Sequence, residues 1–145
     1  MSTRENRASL VEILRAWQRS EDRRVSQSAE ILRRARHPVV RMVMEVVRRD
    51  SAMHHRVQQF IIDSIEKEAV PPTVEDLESV WSAIEAHVES ARETAQLVAA
   101  AQKKLAGTKH VVQQYLLSYL AADERKHDEL LDGLSLIKRG TYRKA

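Results

Sequence analysis

The sequence predicts an all-α protein, an antiparallel up-down-up-down four-helix bundle with short connections, and three observations carry that expectation. The 145 residues include only three Gly, three Pro and 4% aromatics, too few turn-formers and aromatic residues for a sandwich or barrel. Pro38, Pro71 with Pro72, and Gly107 interrupt otherwise long stretches free of breakers. Each stretch carries an apolar stripe at helical spacing, so one shared core is expected in a single domain over residues 1–145.

The first helix is expected over about 6–36, its stripe being Leu10, Leu14, Trp17, Val25, Leu32 and Ala35. The second, over about 38–68, opens on a proline tolerated in a first turn and carries Val39, Val43, Val46, Val47, Val57 and Ile61. Thr73 with Glu75, Asp76 and Glu78 behind it reads as an N-cap and acidic first turn for a third helix over about 73–106. Its stripe runs Leu77, Val80, Ile84, Val88, Ala91, Ala95 and Val98. The fourth, over about 109–138, has Val112, Leu116, Tyr119, Leu130, Leu134 and Ile137. Connections of only a few residues fold each helix back beside its predecessor.

Charge is segregated along the chain. Residues 1–60 carry 13 basic and 7 acidic side chains, residues 61–102 carry 2 and 9, and residues 103–145 carry 9 and 5. Complementary segments suit packing within the chain and argue against a nucleic-acid partner. Lys138, Arg139, Arg143 and Lys144 read as a short solvated basic tail. The absence of Cys excludes disulfides, thiolate zinc sites and a cysteine nucleophile. No apolar run approaches the ~20 residues of a membrane span, and Met1, Ser2, Thr3, Arg4 and Glu5 do not open a signal peptide, so a cytoplasmic location without membrane contact is expected.

Several polar residues fall on the apolar stripes: Glu21, Asp50, His54, Asp123 and His127, with His87 about 60° off centre at 100° per residue. Folding the chain at its own breakers puts Glu21, His54, His87 and His127 in one layer, with Asp50 and Asp123 one turn away. At an offset of 73 residues, His37-Pro-Val-Val with Asp50-x-x-x-His54 overlies His110-Val-Val with Asp123-x-x-x-His127. The second and fourth helices thus present the same Asp/His pair on one side. Three carboxylates gathered in a low-dielectric core repel one another unless a cation joins them. Neutral imidazoles add nitrogen donors, and mixed oxygen and nitrogen ligands without sulfur suit iron, manganese or zinc. Six such ligands on four helices suffice for two metal ions.

With these residues in view, the chain resembles the ferritin-like di-metal carboxylate proteins, rubrerythrin-like members especially. The resemblance rests on Leu120-Ala-Ala-Asp-Glu-Arg-Lys-His127-Asp-Glu-Leu, similar to their Glu-x-x-His helix, and on Arg48-Arg-Asp-Ser-Ala-Met-His54 as a weaker copy. It implies a buried di-iron site and redox chemistry on dioxygen or peroxide, of ferroxidase, peroxidase or oxygenase type. The ligand role is carried to Asp50 and Asp123, bridging or terminal, with Glu21 closing one side and His54, His87 and His127 as terminal ligands. Glu124, which preserves Glu-x-x-His, is a reserve ligand; its counterpart in the second helix is Ser51. The short link at Pro71 is similar instead to hemerythrin-like bundles, which implies a dioxygen or metal binder without turnover. A third reading is a structural bundle whose buried polar layer only fixes register.

Tyr119, one turn from Asp123, is either a core aromatic or a hydrogen-bonding or redox neighbour of the site. His37 and His110 stand at helix entrances, and His55 and Glu45 are expected at the surface. Glu85, Glu89 and Glu93 form an outward acidic ladder. The basic outer face of the first helix, with Arg15, Arg19 and Arg23, suits an acidic partner or the third helix of a second copy in a homo-oligomer.

Overall fold

A computed structural model describes residues 2–67 and 72–144. They form four helices, α1 (Thr3–Arg34), α2 (Pro38–Glu66), α3 (Val74–Leu105) and α4 (Val111–Lys144), and no strand occurs among the described residues. The expected end of the second helix at 68 and the break at Pro71 lie outside them. None of the described helices is long and apolar enough to cross a membrane.

The helix ends follow from local chemistry. α1 starts three residues earlier than the stripe suggests because Ser2 and Glu5 form a capping box. The Glu5 N–H donates to Ser2 Oγ at 3.2 Å, and the Ser2 N–H donates to Glu5 Oε2 at 2.6 Å. At the other end the Arg41 guanidinium donates to the carbonyls of Leu32 and Ala35, at 2.5 and 3.0 Å, satisfying acceptors that the last turn leaves open. His37 caps α2, its Nδ1 accepting from the Val39 N–H, and Pro38 sits in the first turn. Thr73 and Asp76 cap α3 reciprocally, as the sequence predicts. Past the C-cap of α3, Gly107 takes φ +73°, a left-handed conformation that a side chain disfavours. Gln114 then reaches back from α4 to the Leu105 carbonyl at 2.7 Å.

The chain divides into two compact units, Met1–Val70 and Pro71–Ala145, each a helical hairpin. In the first, Arg41 meets Leu32 near the turn, Gln18 meets Gln59 midway, and Arg15 meets Glu66 at the open end, so α1 and α2 run antiparallel. Their seam is Val11, Leu14, Gln18, Glu21 and Ser28 against Ser51, Gln58 and Ile62, at the alternating three- and four-residue spacing of interlocked helices. Val11, Leu14 and Ile62 make its apolar core, with Ile65 packed on it.

This corrects the expected core. The seam lies one residue round from the apolar stripe: Val11 and Gln18 are buried in place of Leu10 and Trp17, and Gln58 and Ile62 in place of Val57 and Ile61. A two-helix contact needs only a narrow seam, whereas the stripe is as wide as a helix with two neighbours requires.

In the second hairpin Leu77 and Ala121 are buried, and Trp81, Ile84, Val88 and Ala91 are half-buried on α3. Leu117, Glu124, Asp128 and Leu131 hold the matching half-buried positions on α4. Lys138 is not part of a solvated tail: α4 continues through it, and its ammonium lies 4.1 Å from the centre of the Trp81 ring, within cation–π range.

Candidate functional site

Glu21 is the most deeply buried charged side chain described, 1% exposed in the middle of the α1–α2 seam. Its helical register puts it one turn from Trp17, whose indole N–H donates to Oε1 at 3.0 Å. From α2, His54 brings Nδ1 to 3.4 Å from the same oxygen. Ser51, also buried, sets its hydroxyl close enough to favour the charged carboxylate. Burial by itself would raise the pKa of Glu21, but hydrogen bonding by Ser51, Trp17 and His54, helped by the His54 charge, outweighs it and holds the carboxyl below its ordinary range. Oε2 nevertheless has no partner in hydrogen-bonding alignment. A buried carboxylate oxygen without an aligned donor is an open acceptor position.

Polar groups surround this node. Gln18 donates to the His55 carbonyl at 3.3 Å and to Gln59 Oε1 at 3.0 Å, and Gln59 passes a further bond to Asp63. His55 is half-buried, not simply at the surface, and stands 2.8 Å from Asp22 at ion-pair distance, though out of hydrogen-bonding alignment.

Of the six expected ligands, Glu21 and His54 are brought together across the first hairpin, and Asp123 and His127 within α4 at 3.5 Å. Asp123 also holds Lys126 at 2.6 Å. Asp50 is half-buried, and His54, His87 and His127 are exposed. Tyr119 is also exposed, on the side of α4 away from the seam. Glu124 lies on the α4 seam face and is half-buried. Among the described residues no group of three or more His, Asp or Glu side chains is gathered in a way that would hold a metal.

At 100° per residue, Trp17, His54, His87 and His127 each stand about 60–80° from their helix's seam, all turned to the same hand. Antiparallel helices place same-handed flanks on one side of their hairpin. The first hairpin therefore carries Leu10, Trp17, Val47, His54 and Ile61 on one side face, and the second carries Val80, His87, Leu120, His127 and Leu134 on the equivalent one. Most of these residues are exposed.

The 73-residue repeat extends further than the paired Asp and His. It carries Val11, Gln18, Glu21 and Val25 of α1 onto Ile84, Ala91, Thr94 and Val98 of α3, all half-buried, and Ser51 and His54 of α2 onto Glu124 and His127 of α4. In sequence the offset sets Thr94 where the first hairpin has Glu21 and Glu124 where it has Ser51, an exchange of acid and hydroxyl between the two helices; the Thr94 hydroxyl itself donates to the Ser90 carbonyl at 3.1 Å. The repeat already marks Ser51 in the sequence as the counterpart of Glu124; Thr94 is found only when the same offset is applied to Glu21.

Compared with models of protein families, with curated proteins and with solved structures, the chain matches none.

Proposed function

We propose that this chain is a metal-binding protein of ferritin-like type, in which the two hairpins close into a four-helix bundle around a dinuclear carboxylate and histidine site that holds iron. The observation that carries the reading is Glu21: ionised, buried in a seam, oriented by Trp17, Ser51 and His54, and left with Oε2 unsatisfied. A protein that needed only a packed seam gains nothing from an ionised acid there, since an apolar residue of similar size usually serves stability as well or better. Closure along the equivalent side faces would bury the uncovered apolar residues and draw His54, His87 and His127 toward Glu21 and Glu124.

The donor set is then Glu21, Glu124, His54, His87 and His127, with Asp50 and Asp123 at its edge, since these stand about 100–120° from their seams. The set fits a hard to borderline divalent cation such as Fe(II), with Mn(II) or Zn(II) as competitors. When bound, iron would supply redox chemistry on dioxygen or peroxide. The residues of the chain have separate tasks in this reading. Trp17 fixes the Glu21 rotamer through Oε1 and so leaves Oε2 for the cation, Ser51 keeps the carboxylate charged, and His54 presents its ring at the side face.

A second reading, a polar seam that only fixes register, is favoured by the Gln18, Gln59 and Asp63 hydrogen-bond chain. Anaerobic reconstitution with Fe(II) followed by dioxygen separates the readings. Retained iron with continuing dioxygen consumption in the presence of reductant supports an enzyme, and a reversible optical band supports a dioxygen binder. Failure to retain iron at all leaves only the register role.

A further inference from the structure

The face of α2 directly opposite the seam has no use in the hairpin, and closure along the side faces would not cover it either. At 100° per residue Met42, Met53 and Phe60 lie within about 20° of the direction away from Ser51, Gln58 and Ile62. Phe60, the only Phe of the chain, is 75% exposed, and Met42 and Met53 are about half exposed. Arg49 lies within the same 20° and interrupts the apolar row between Met42 and Met53, while Val46 and Val57 border the strip on one edge and Glu45 and Arg56 on the other. A row of large apolar side chains along one outer helix face is the form taken by a docking surface.

The strip is complementary to its own reverse. Laid antiparallel against a second α2 about a two-fold axis near Ser51, Met42 meets Phe60, Val46 meets Val57, and the stem of Arg49 lies along Met53, each contact occurring twice. On the charged edge the same alignment brings Glu45 opposite Arg56. An antiparallel pair matches like flanks with like flanks, so the valine edge meets the valine edge and the charged edge meets the charged edge. Glu45 already lies 4.0 Å from Arg49 of its own helix, so it would stand between two guanidinium groups. Thioether against aromatic ring is a favourable contact at both ends of the strip. A partner of unrelated sequence would have no reason to leave this symmetry in α2.

We infer that the outer face of α2 is a homodimer surface on which a second copy of this chain docks its own α2 antiparallel, with Met42 against Phe60 and Glu45 against Arg56 of the other copy. The contact spans residues 42–60, about 27 Å of helix at 1.5 Å per residue. One helix pair makes a small interface, so the dimer is reversible. The inference is independent of any metal, because the strip and the buried Glu21 are on different faces of the hairpin.

Sedimentation equilibrium from roughly 1 to 500 µM, a range that spans weak self-association, tests it on the full chain. The expected result is a monomer–dimer equilibrium that Phe60→Lys weakens at least about tenfold, the effect of losing a central anchor. Arg56→Glu weakens it as well, and Arg56→Glu combined with Glu45→Arg restores it. All of these positions are exposed, so helicity by circular dichroism is expected to stay unchanged. A cross-link adds a readout that does not depend on weakening. Because the chain has no Cys, Val46→Cys with Val57→Cys forms a disulfide dimer on oxidation, while the same pair within one helix is about 16 Å apart and cannot bridge. A chain that is monomeric over the whole range overturns the proposal. So does association indifferent to Phe60→Lys, or a double charge variant no better than Arg56→Glu.

Discussion

At the level of single residues, the proposed function rests on Glu21, buried and ionised in the α1–α2 seam. Its low pKa has a definite consequence for metal-free protein. A carboxyl whose folded pKa lies below the ordinary 4.5 contributes stability that is present above that value and is lost as pH falls through the folded pKa. The first hairpin is therefore expected to lose stability on acidification below pH 4.5, and Trp17→Phe, which removes the indole donor, to shift the Glu21 titration upward; carboxyl chemical shifts followed by NMR read both. Ser51→Ala strips a donor from a buried charge and should cost about 1–3 kcal/mol in urea unfolding, whereas the same change at exposed Ser26 should cost little. The sequence marked Glu21 and His54 as partners because both interrupt an apolar stripe at matching distances from Pro38. It named Ser51 only as the counterpart of Glu124 in the repeat and not as a partner of Glu21, because a serine on a helix carries no pattern of its own and gains meaning only from the acid that α1 sets against it.

At the level of helices, capping and turn chemistry account for where each element begins and ends. Thr73→Ala removes the hydroxyl that accepts the Asp76 N–H, and about 1 kcal/mol of stability in the second hairpin should go with it. Gly107→Ala places a Cβ in the left-handed region at φ +73°, and since nothing crowds that position the cost is conformational alone, about 1–2 kcal/mol. Thermal denaturation followed by circular dichroism measures both. The existence of four helices and most of their limits could be read from prolines, Gly107 and stripe periodicity. The face by which each helix meets its hairpin partner could not. A stripe such as Leu10, Leu14 and Trp17 marks where apolar residues recur along a helix and does not say which of them meets the partner helix; Leu14 does, while Leu10 and Trp17 stay exposed beside the seam. That offset is also why Glu124, one residue round from Asp123, lies on the α4 seam face while Asp123 holds Lys126.

At the level of the whole chain, the 73-residue repeat relates the two hairpins, with Glu21, Ser51 and His54 of the first lying over Thr94, Glu124 and His127 of the second. Among the described residues no three metal donors are gathered, and each hairpin carries an exposed apolar side face, which is why the proposed function requires both hairpins. The most direct test is the iron content of protein reconstituted anaerobically with Fe(II), desalted and assayed as ions per chain, for the natural sequence beside Glu21→Gln and Glu124→Gln. The account predicts close to two ions per chain in the first and a clear loss in each variant, with helicity retained. Iron absent from the natural sequence, or retained equally by both variants, would contradict it.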